Sequence, residues 1–316
     1  MARSLKIVAL GRTQMLYEAI RRLHSDGHQI PLIVTAREAP EYTRNAEDFR
    51  ELAQGLGAHF LLAENTHGDD LTAILQDLRP DIGISINWPN LIRRPTIDQF
   101  RHGIINLHPG DLPAYKGNAC PNWALIRGEP RLTLCLHLMD PERLDAGPIV
   151  AKRHLPATVD TRIGEFYEFW LATAPLMFAE AVGALAATDC LTTVQQEGEG
   201  FRCFPRRPED SEIDWRSDGL NIVRLINASS EPFSGATTWL GPQRLRLWRA
   251  RFEATDNYVA VPGHVARRVR NQGEVAVTSG CGLVWLQSVS GDDGVRRNAA
   301  EMIGATHQRL GRPPLG

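Results

Sequence analysis

Ile104-Ile-Asn-Leu-His-Pro-Gly-Asp-Leu-Pro-Ala-Tyr-Lys-Gly117 is the stretch whose reading decides the rest of the chain. Its first residues continue an apolar run from Gly103, and Pro109 and Gly110 stop that run, so residues 103–108 read as a buried-type strand that ends in a turn. Asn106 and His108 stand two apart, and on an extended chain their side chains leave the same face. A polar pair thus interrupts an apolar strand near its carboxyl end, where open α/β sheets bind their ligands. Two readings stay open on spacing alone. Either the pair belongs to a site, or local backbone groups satisfy both side chains and the Pro and Gly residues only build a turn.

Toward the N-terminus, short aliphatic runs at 5–10, 29–35, 59–62 and 82–86 alternate with helical patterns at 13–26, 46–55 and 70–78. Met15, Leu16, Ala19, Ile20 and Leu23, for example, recur at the spacing of one helix face. Toward the C-terminus come a helix at 121–127, strands at 132–139 and 149–154, and a long helix from 162 to about 187. Strands alternating with helices predict a Rossmann-like, mostly parallel sheet with helices on both faces. The Pro- and Arg-rich residues 204–210 read as a linker, and 219–229 as a short helix. Beyond Gly235, alternating segments at 236–240, 243–251, 263–269, 274–278 and 282–289 are separated by Gly, Asn and Asp, which predicts a smaller C-terminal β-barrel. The expected division is a first domain at 1–200 and a C-terminal domain at 201–316.

The 316 residues suffice for two such domains. With 43% hydrophobic and 23% charged residues and no unbroken run of about 18 uncharged apolar ones, a soluble protein without a membrane partner is expected. The first ten residues lack the apolar core and cleavage site of a signal peptide, so the expected location is cytoplasmic. Five cysteines, at 120, 135, 190, 203 and 281, form no C-x-x-C pair, which argues against a disulfide framework and against a metal site. Lys+Arg 35 against Asp+Glu 37 gives a net charge of -2, which speaks against a nucleic-acid partner.

A second cluster, Met139-Asp-Pro-Glu-Arg-Leu-Asp-Ala-Gly-Pro148, forms a loop between two strands. By itself its Asp145 reads as an ordinary turn residue. Taken together, the two clusters resemble the folate-dependent formyltransferases. That family's Asn-x-His-x-x-x-Leu-Pro-x-Tyr-x-Gly signature is matched by Asn106, His108, Leu112, Pro113, Tyr115 and Gly117, and its Leu-Asp-x-Gly signature by Leu144, Asp145 and Gly147. Residues 205–215 and Pro262-Gly-His-Val265 look like the C-terminal part of methionyl-tRNA and sugar formyltransferases, which makes the expected barrel OB-like. One departure is visible. Pro109-Gly110-Asp111 follows the histidine where the family commonly has Gly-Ser-Leu or Pro-Ser-Leu, and this bears on substrate contacts more than on the reaction.

The resemblance implies transfer of a formyl group from 10-formyltetrahydrofolate to a primary amine, with Asn106, His108 and Asp145 as catalytic residues and no metal. When an amine attacks the formyl carbon, the carbonyl oxygen becomes anionic and needs preorganised donors. The Asn106 amide and a protonated His108 ring are expected to supply them, with Asp145 helping His108 relay the amine's proton. The resemblance places the folate pterin between residues 85–92 and 138–144. Trp88, Asn90, Leu91, Ile92, Ile104, Leu138 and Leu144 are its expected contacts, with backbone groups reading the pterin edge. Gly11, Arg12 and Thr13 precede a helix N-terminus suited to a substrate phosphate, and Asn118 and Asn122 are the further candidates for the acceptor. A lone glycine and a surface arginine explain the first of these loops equally well, and a turn explains Asn118.

Residues 117–124, with Asn122-Trp123, look most like the sugar enzymes, so the expected acceptor is a nucleotide-linked amino sugar and the expected assembly a homodimer. The alternatives are a methionyl-tRNA formyltransferase, disfavoured by the mixed charge of residues 35–48, and an N-hydroxyornithine formyltransferase. From other classes come a nicotinamide-dependent dehydrogenase, disfavoured by the missing G-x-G-x-x-G fingerprint, and a non-catalytic binding module.

Overall fold

A computed structural model describes residues 3–39, 42–66 and 68–312. The expected first strand, 5–10, lies wholly within them, whereas Pro40 and Glu41 of the mixed-charge stretch fall outside them. In chain order the elements are β1 (Lys6–Gly11), α1 (Gln14–Ser25), β2 (Gln29–Thr35), α2 (Ala46–Leu56), β3 (His59–Leu62), α3 (Asp69–Leu78), β4 (Ile82–Ile86), α4 (Arg94–Ile97), β5 (Ile104–His108), β6 (Tyr115–Gly117), α5 (Cys120–Arg127), β7 (Arg131–Leu138), β8 (Ile149–Pro156), α6 (Ile163–Thr188) and β9 (Phe201–Cys203). A 3-10 turn (Pro208–Ser211) follows, within the stretch read as a linker. Then come α7 (Gly219–Ser229), β10 (Ala236–Leu240), β11 (Gln243–Glu253), β12 (Val265–Val269), β13 (Glu274–Thr278), β14 (Leu283–Ser290), β15 (Arg296–Asn298) and α8 (Ala299–Met302).

Seven strands form the larger sheet in the order β3-β2-β1-β4-β5-β7-β8. The first five are parallel, and β7 joins β5 antiparallel. The five residues of β4 are all buried, and so are the last five of β1, as expected of parallel strands covered on both faces. α1 packs through Met15, Leu16, Ala19, Ile20 and Leu23, the face read from the sequence. Each large side chain of that face contributes about 1.5–3 kcal/mol by leaving water. The order reverses between β1 and β4, so the loops after these two strands meet at the carboxyl edge of the sheet. Backbone bonds show it: Arg12 N–H donates to the Ile86 carbonyl at 3.0 Å.

The smaller sheet has the order β10-β11-β14-β13-β12, all antiparallel, with β15 on β14. Leu310 bridges Leu240 beside one edge and Arg309 bridges His264 beside the other, so a single short segment ties both edges together. α7 lies among the core of this sheet with Ile222, Val223 and Ile226 fully or almost fully buried beside Leu245, Leu247 and Leu286.

Two compact units emerge, neither continuous in sequence. One holds the residues up to Gly117 with Thr133–Leu155 and Tyr167–Cys203; the other holds Asn118–Leu132, Pro156–Phe166 and the residues from Phe204 on. The expected division at residue 200 follows the chain, whereas in this grouping 118–132 and 156–166 fall with the residues from Phe204 on.

One helix bears on the hydropathy reading. α6 is 26 residues long and by length and composition apolar enough to cross a membrane, which a search for an uncharged run misses because Glu165, Glu168 and Glu180 interrupt it. Phe166, Trp170, Ala174, Phe178, Val182 and Leu185 are buried at three- and four-residue spacing, the pattern of a core helix.

Candidate functional site

The pairing of β5 with β7 builds the site. Its register sets Asn106 opposite His137 and His108 opposite Cys135, while β4 on the other side sets Ser85 beside Asn106. A polar row, Ser85, Asn106 and His137, thus crosses three neighbouring strands. Asn106 Nδ2 lies 3.2 Å from His137 Nε2, and His137 Nδ1 lies 2.7 Å from the Leu138 carbonyl oxygen. A carbonyl only accepts, so Nδ1 carries the proton and Nε2 accepts from the Asn106 amide. Burial pushes the His137 imidazole down to about 4, against the opposing pull of the Asp145 carboxylate, and keeps the ring neutral near pH 7.

Asp145 enters from the loop between β7 and β8. Its φ of +51° is a left-handed conformation uncommon for a residue with a side chain, the kind of local strain that collects at functional sites. Oδ2 accepts from Gly117 N–H at 2.8 Å and lies 3.6 Å from His108 Nδ1, while Oδ1 lies 3.8 Å from His137 Nε2. The Gln196 amide fixes the loop from below by donating to the Asp145 and Gly147 carbonyls at 3.0 and 2.7 Å. Both signature glycines mark close approaches. A Cβ at Gly117 would stand 2.4 Å from the Cys203 carbonyl oxygen, and one at Gly147 would stand 1.9 Å from that of Leu138.

His108 is 4% exposed at its side chain. Its Nε2–H donates to the Tyr115 carbonyl at 2.8 Å, which leaves Nδ1 as the nitrogen that can meet a reacting group. With one nitrogen held by Tyr115 and the other facing Asp145, His108 is placed to move a proton. Asn106 keeps a donor, because its amide makes one hydrogen bond among the described residues and has a second N–H left. The departure at Asp111 is likewise internal. Asp111 pairs with Lys152 Nζ at 2.6 Å and so anchors the loop that carries Tyr115 and Gly117.

The other expected contacts divide. Ile92 and Ile104 are 2% and 0% exposed in a core cluster with Val8, Leu10, Leu32 and Phe100, and they offer a ligand no surface. Trp88 packs on the edge of that cluster, half-buried, with its indole N–H buried and unpartnered. Leu91 and Leu138 are half-buried and Leu144 is exposed. Asn90 spends its amide on the Glu64 carbonyl at 2.7 Å. Asp140 Oδ1 accepts from both Glu142 N–H and Arg143 N–H at 2.8 Å, which removes two backbone donors from those expected to read a pterin.

In the loop after β1, Gly11 pairs with Ile86, and the Arg12 guanidinium donates to the Asn87 and Arg37 carbonyls at 3.1 and 2.8 Å. Thr13, at φ 86°, leaves a buried hydroxyl unpartnered at the N-terminus of α1. Asn118 is exposed directly after Gly117. Asn122 is a correction: it is 3% exposed and donates to the Ala228 carbonyl at 2.8 Å within the second unit, so it clasps the fold and does not face an acceptor. Among the described residues, no group of three or more His, Cys, Asp or Glu is placed to hold a metal ion.

His137 and Gln196 are the partners that sequence reasoning missed, and Tyr115, part of the first signature, was given no role of its own. The same test that singled out Asn106, a polar residue within an alternating apolar strand, selects His137 in Leu134-Cys-Leu-His-Leu138. Tyr115 acts through its backbone carbonyl and Gln196 through loop geometry, and for Gln196 the sequence carries no such signal.

Comparison with known proteins fits this geometry. Residues 5–182 match the formyl transferase family, and residues 206–305 match the formyl transferase C-terminal domain. The methionyl-tRNA formyltransferase of Roseiflexus castenholzii is 29% identical over 291 residues, 90% of this chain and 91% of that protein. Similar folds occur in the N-formyltransferase from Helicobacter canadensis solved with folinic acid and dTDP-3-aminofucose (TM-score 0.66, 12% identity, 89% of this chain and 98% of that one). HypX from Aquifex aeolicus, solved in complex with tetrahydrofolic acid, is similar over 95% of this chain (TM-score 0.57, 18% identity), and the chain spans about half of HypX, 47% of its length. With the paired signatures assembled in one place and both domains matched, the chain belongs to the formyl transferase family.

Proposed function

We propose that the protein transfers the formyl group of 10-formyltetrahydrofolate to the amino group of a nucleotide-linked amino sugar. The observation that carries the transfer is the meeting of Asn106, His108 and Asp145 at the carboxyl edge of the sheet. Asn106 donates its remaining N–H to the formyl oxygen as charge grows there, and losing such a donor costs about 3–4 kcal/mol. His108 Nδ1 and the Asp145 carboxylate take up the proton that the attacking amine sheds, while the Tyr115 carbonyl keeps the ring in place.

The residues suit a folate. Trp88, with an indole N–H that has no partner, and the partly open Leu91, Leu138 and Leu144 form an apolar wall with one polar handle. The two folate-type molecules in the structures of similar fold agree with this donor.

For the acceptor, the dTDP-3-aminofucose in one similar structure supports a nucleotide-linked amino sugar. The buried Thr13 hydroxyl at the N-terminus of α1 supports a phosphate there. The net charge of -2 speaks against transfer RNA, whose binding rests on phosphate neutralisation, although the Roseiflexus relative keeps that acceptor as the second reading.

Incubation with 10-formyltetrahydrofolate and a panel of amines tests both parts. Tetrahydrofolate release with nucleotide amino sugars, and not with methionyl-tRNA or N-hydroxyornithine, is the expected result. Turnover with either of the latter alone would replace the acceptor, and folate binding without release for any amine would overturn the reaction.

A further inference from the structure

We propose that His137 is a positioning residue for the transfer step: its Nε2 takes one hydrogen of the Asn106 carboxamide and so fixes which edge of that amide the reaction meets. This rests on the reading of Asn106 as the donor to the formyl oxygen. A carboxamide has nearly equal wells related by exchange of its oxygen and nitrogen, and the reversed amide puts an acceptor where a donor is needed. Something must choose between them before substrate arrives.

Two contacts make that choice. The Leu138 carbonyl at 2.7 Å admits only a protonated Nδ1, which leaves Nε2 as a lone pair 3.2 Å from Asn106 Nδ2. The ring, 2% exposed at its side chain, is wedged beside its cross-strand partner by the β5–β7 register and cannot turn away without breaking both bonds. Desolvation disfavours the doubly protonated ring, which would repel the amide N–H and face Asp145 Oδ1 at 3.8 Å instead. The amide nitrogen therefore lies on the β7 side of Asn106. Preorganised donors of this kind need no rearrangement when charge develops.

His137→Phe and His137→Gln, each made alone and together with Asn106→Ala, test the proposal through turnover and folate-analogue affinity. In the wild-type background His137→Phe should lower kcat by about 10–100-fold with affinity held within about twofold, because a misplaced donor harms the transition state and not the ground state. His137→Gln offers a carboxamide oxygen near the Nε2 position and should restore most of the rate. In the Asn106→Ala background the Phe change should cost no more than about twofold, since residues that act as a unit are not additive.

Equal losses in both backgrounds would overturn the positioning role while leaving Asn106 in the mechanism. A silent Asn106→Ala variant would remove the donor reading and the positioning role with it. Nitrogen NMR of the intact protein needs no variant to fold. A protonated Nδ1 and bare Nε2 on His137 is the expected spectrum, and a protonated Nε2 would overturn the proposal.

Discussion

Two of the buried polar clusters among the described residues invite comparison. In the first unit, Asn106, His108, His137 and Asp145 gather around the end of β5. In the second, Asn122 and Arg206 share the Ala228 carbonyl, at 2.8 and 3.1 Å, and Arg206 also reaches the Asp210 carbonyl and the Ser211 and Ser229 hydroxyls at 3.0–3.2 Å. Trp123 lies under the Arg206 guanidinium at 5.9 Å and donates to the Phe204 carbonyl at 2.9 Å. Each of these second-unit bonds ends on an oxygen of the fold itself. The first cluster instead keeps an unspent Asn106 N–H, a left-handed Asp145 and a carboxylate between two imidazoles. Polarity does not separate a site from a clasp, and neither does a spare donor, since the Arg206 Nε–H is buried without a partner; the left-handed Asp145 and its carboxylate between two imidazoles do.

The comparison breaks if variants in the two clusters behave alike. Asn106→Ala should give the largest effect, a turnover loss of about 100-fold or more with the melting temperature little changed, since the side chain is proposed as a transition-state donor at the rim of the sheet. Kinetics and thermal melts on one preparation check it. Arg206→Leu should do the opposite. It strips two carbonyls and two hydroxyls of a charged donor, for a stability loss of about 2–3 kcal/mol read by denaturant unfolding, with kcat per folded molecule unchanged.

Asn122→Ala should follow the same pattern at about 1–3 kcal/mol, by stranding the buried Ala228 carbonyl in part. A tenfold fall in kcat there would return Asn122 to the acceptor site. The smallest effect concerns pH. His137 binds a proton less readily folded than unfolded, so the unfolded chain takes up more protons below its ordinary value of 6.5, and stability is lost as pH falls from there toward about 4. Between pH 7 and 6 the loss is under about 1 kcal/mol. His28 is shifted in the same direction by burial, so the wild type and His137→Gln must be compared, with the variant showing the flatter profile.

Much of this was legible because the signals are local. β2, β3, β4, β10, β13 and α7 fall where their apolar periods and flanking Gly, Asn and Asp place them. The meeting of Asn106, His108 and Asp145 was legible through two signatures whose glycines prove to be packing requirements at Gly117 and Gly147. What stayed hidden depends on partners distant in sequence. β6 and β9, three residues each, exist because Tyr115–Gly117 meets Phe201–Cys203, and no period shows in so short a run. The β-strand β15 has only Arg296–Asn298 and is fixed by β14. Ile92 and Ile104 read as a ligand wall because hydrophobicity says that a side chain is covered and not by what. Asn122 read as a substrate contact for the mirror reason, its polar partner lying 106 residues away.

The central claim is that Asp145 serves the chemical step and neither a turn nor folate affinity. Asp145→Asn tests it most directly, because Asn tolerates the left-handed backbone and keeps an oxygen for Gly117 N–H while losing the charge beside His108. Turnover and folate-analogue affinity measured on the same preparation should show a rate at least about 100-fold lower with affinity changed by no more than about twofold. Unchanged turnover, or an affinity that falls as far as the rate, would contradict it.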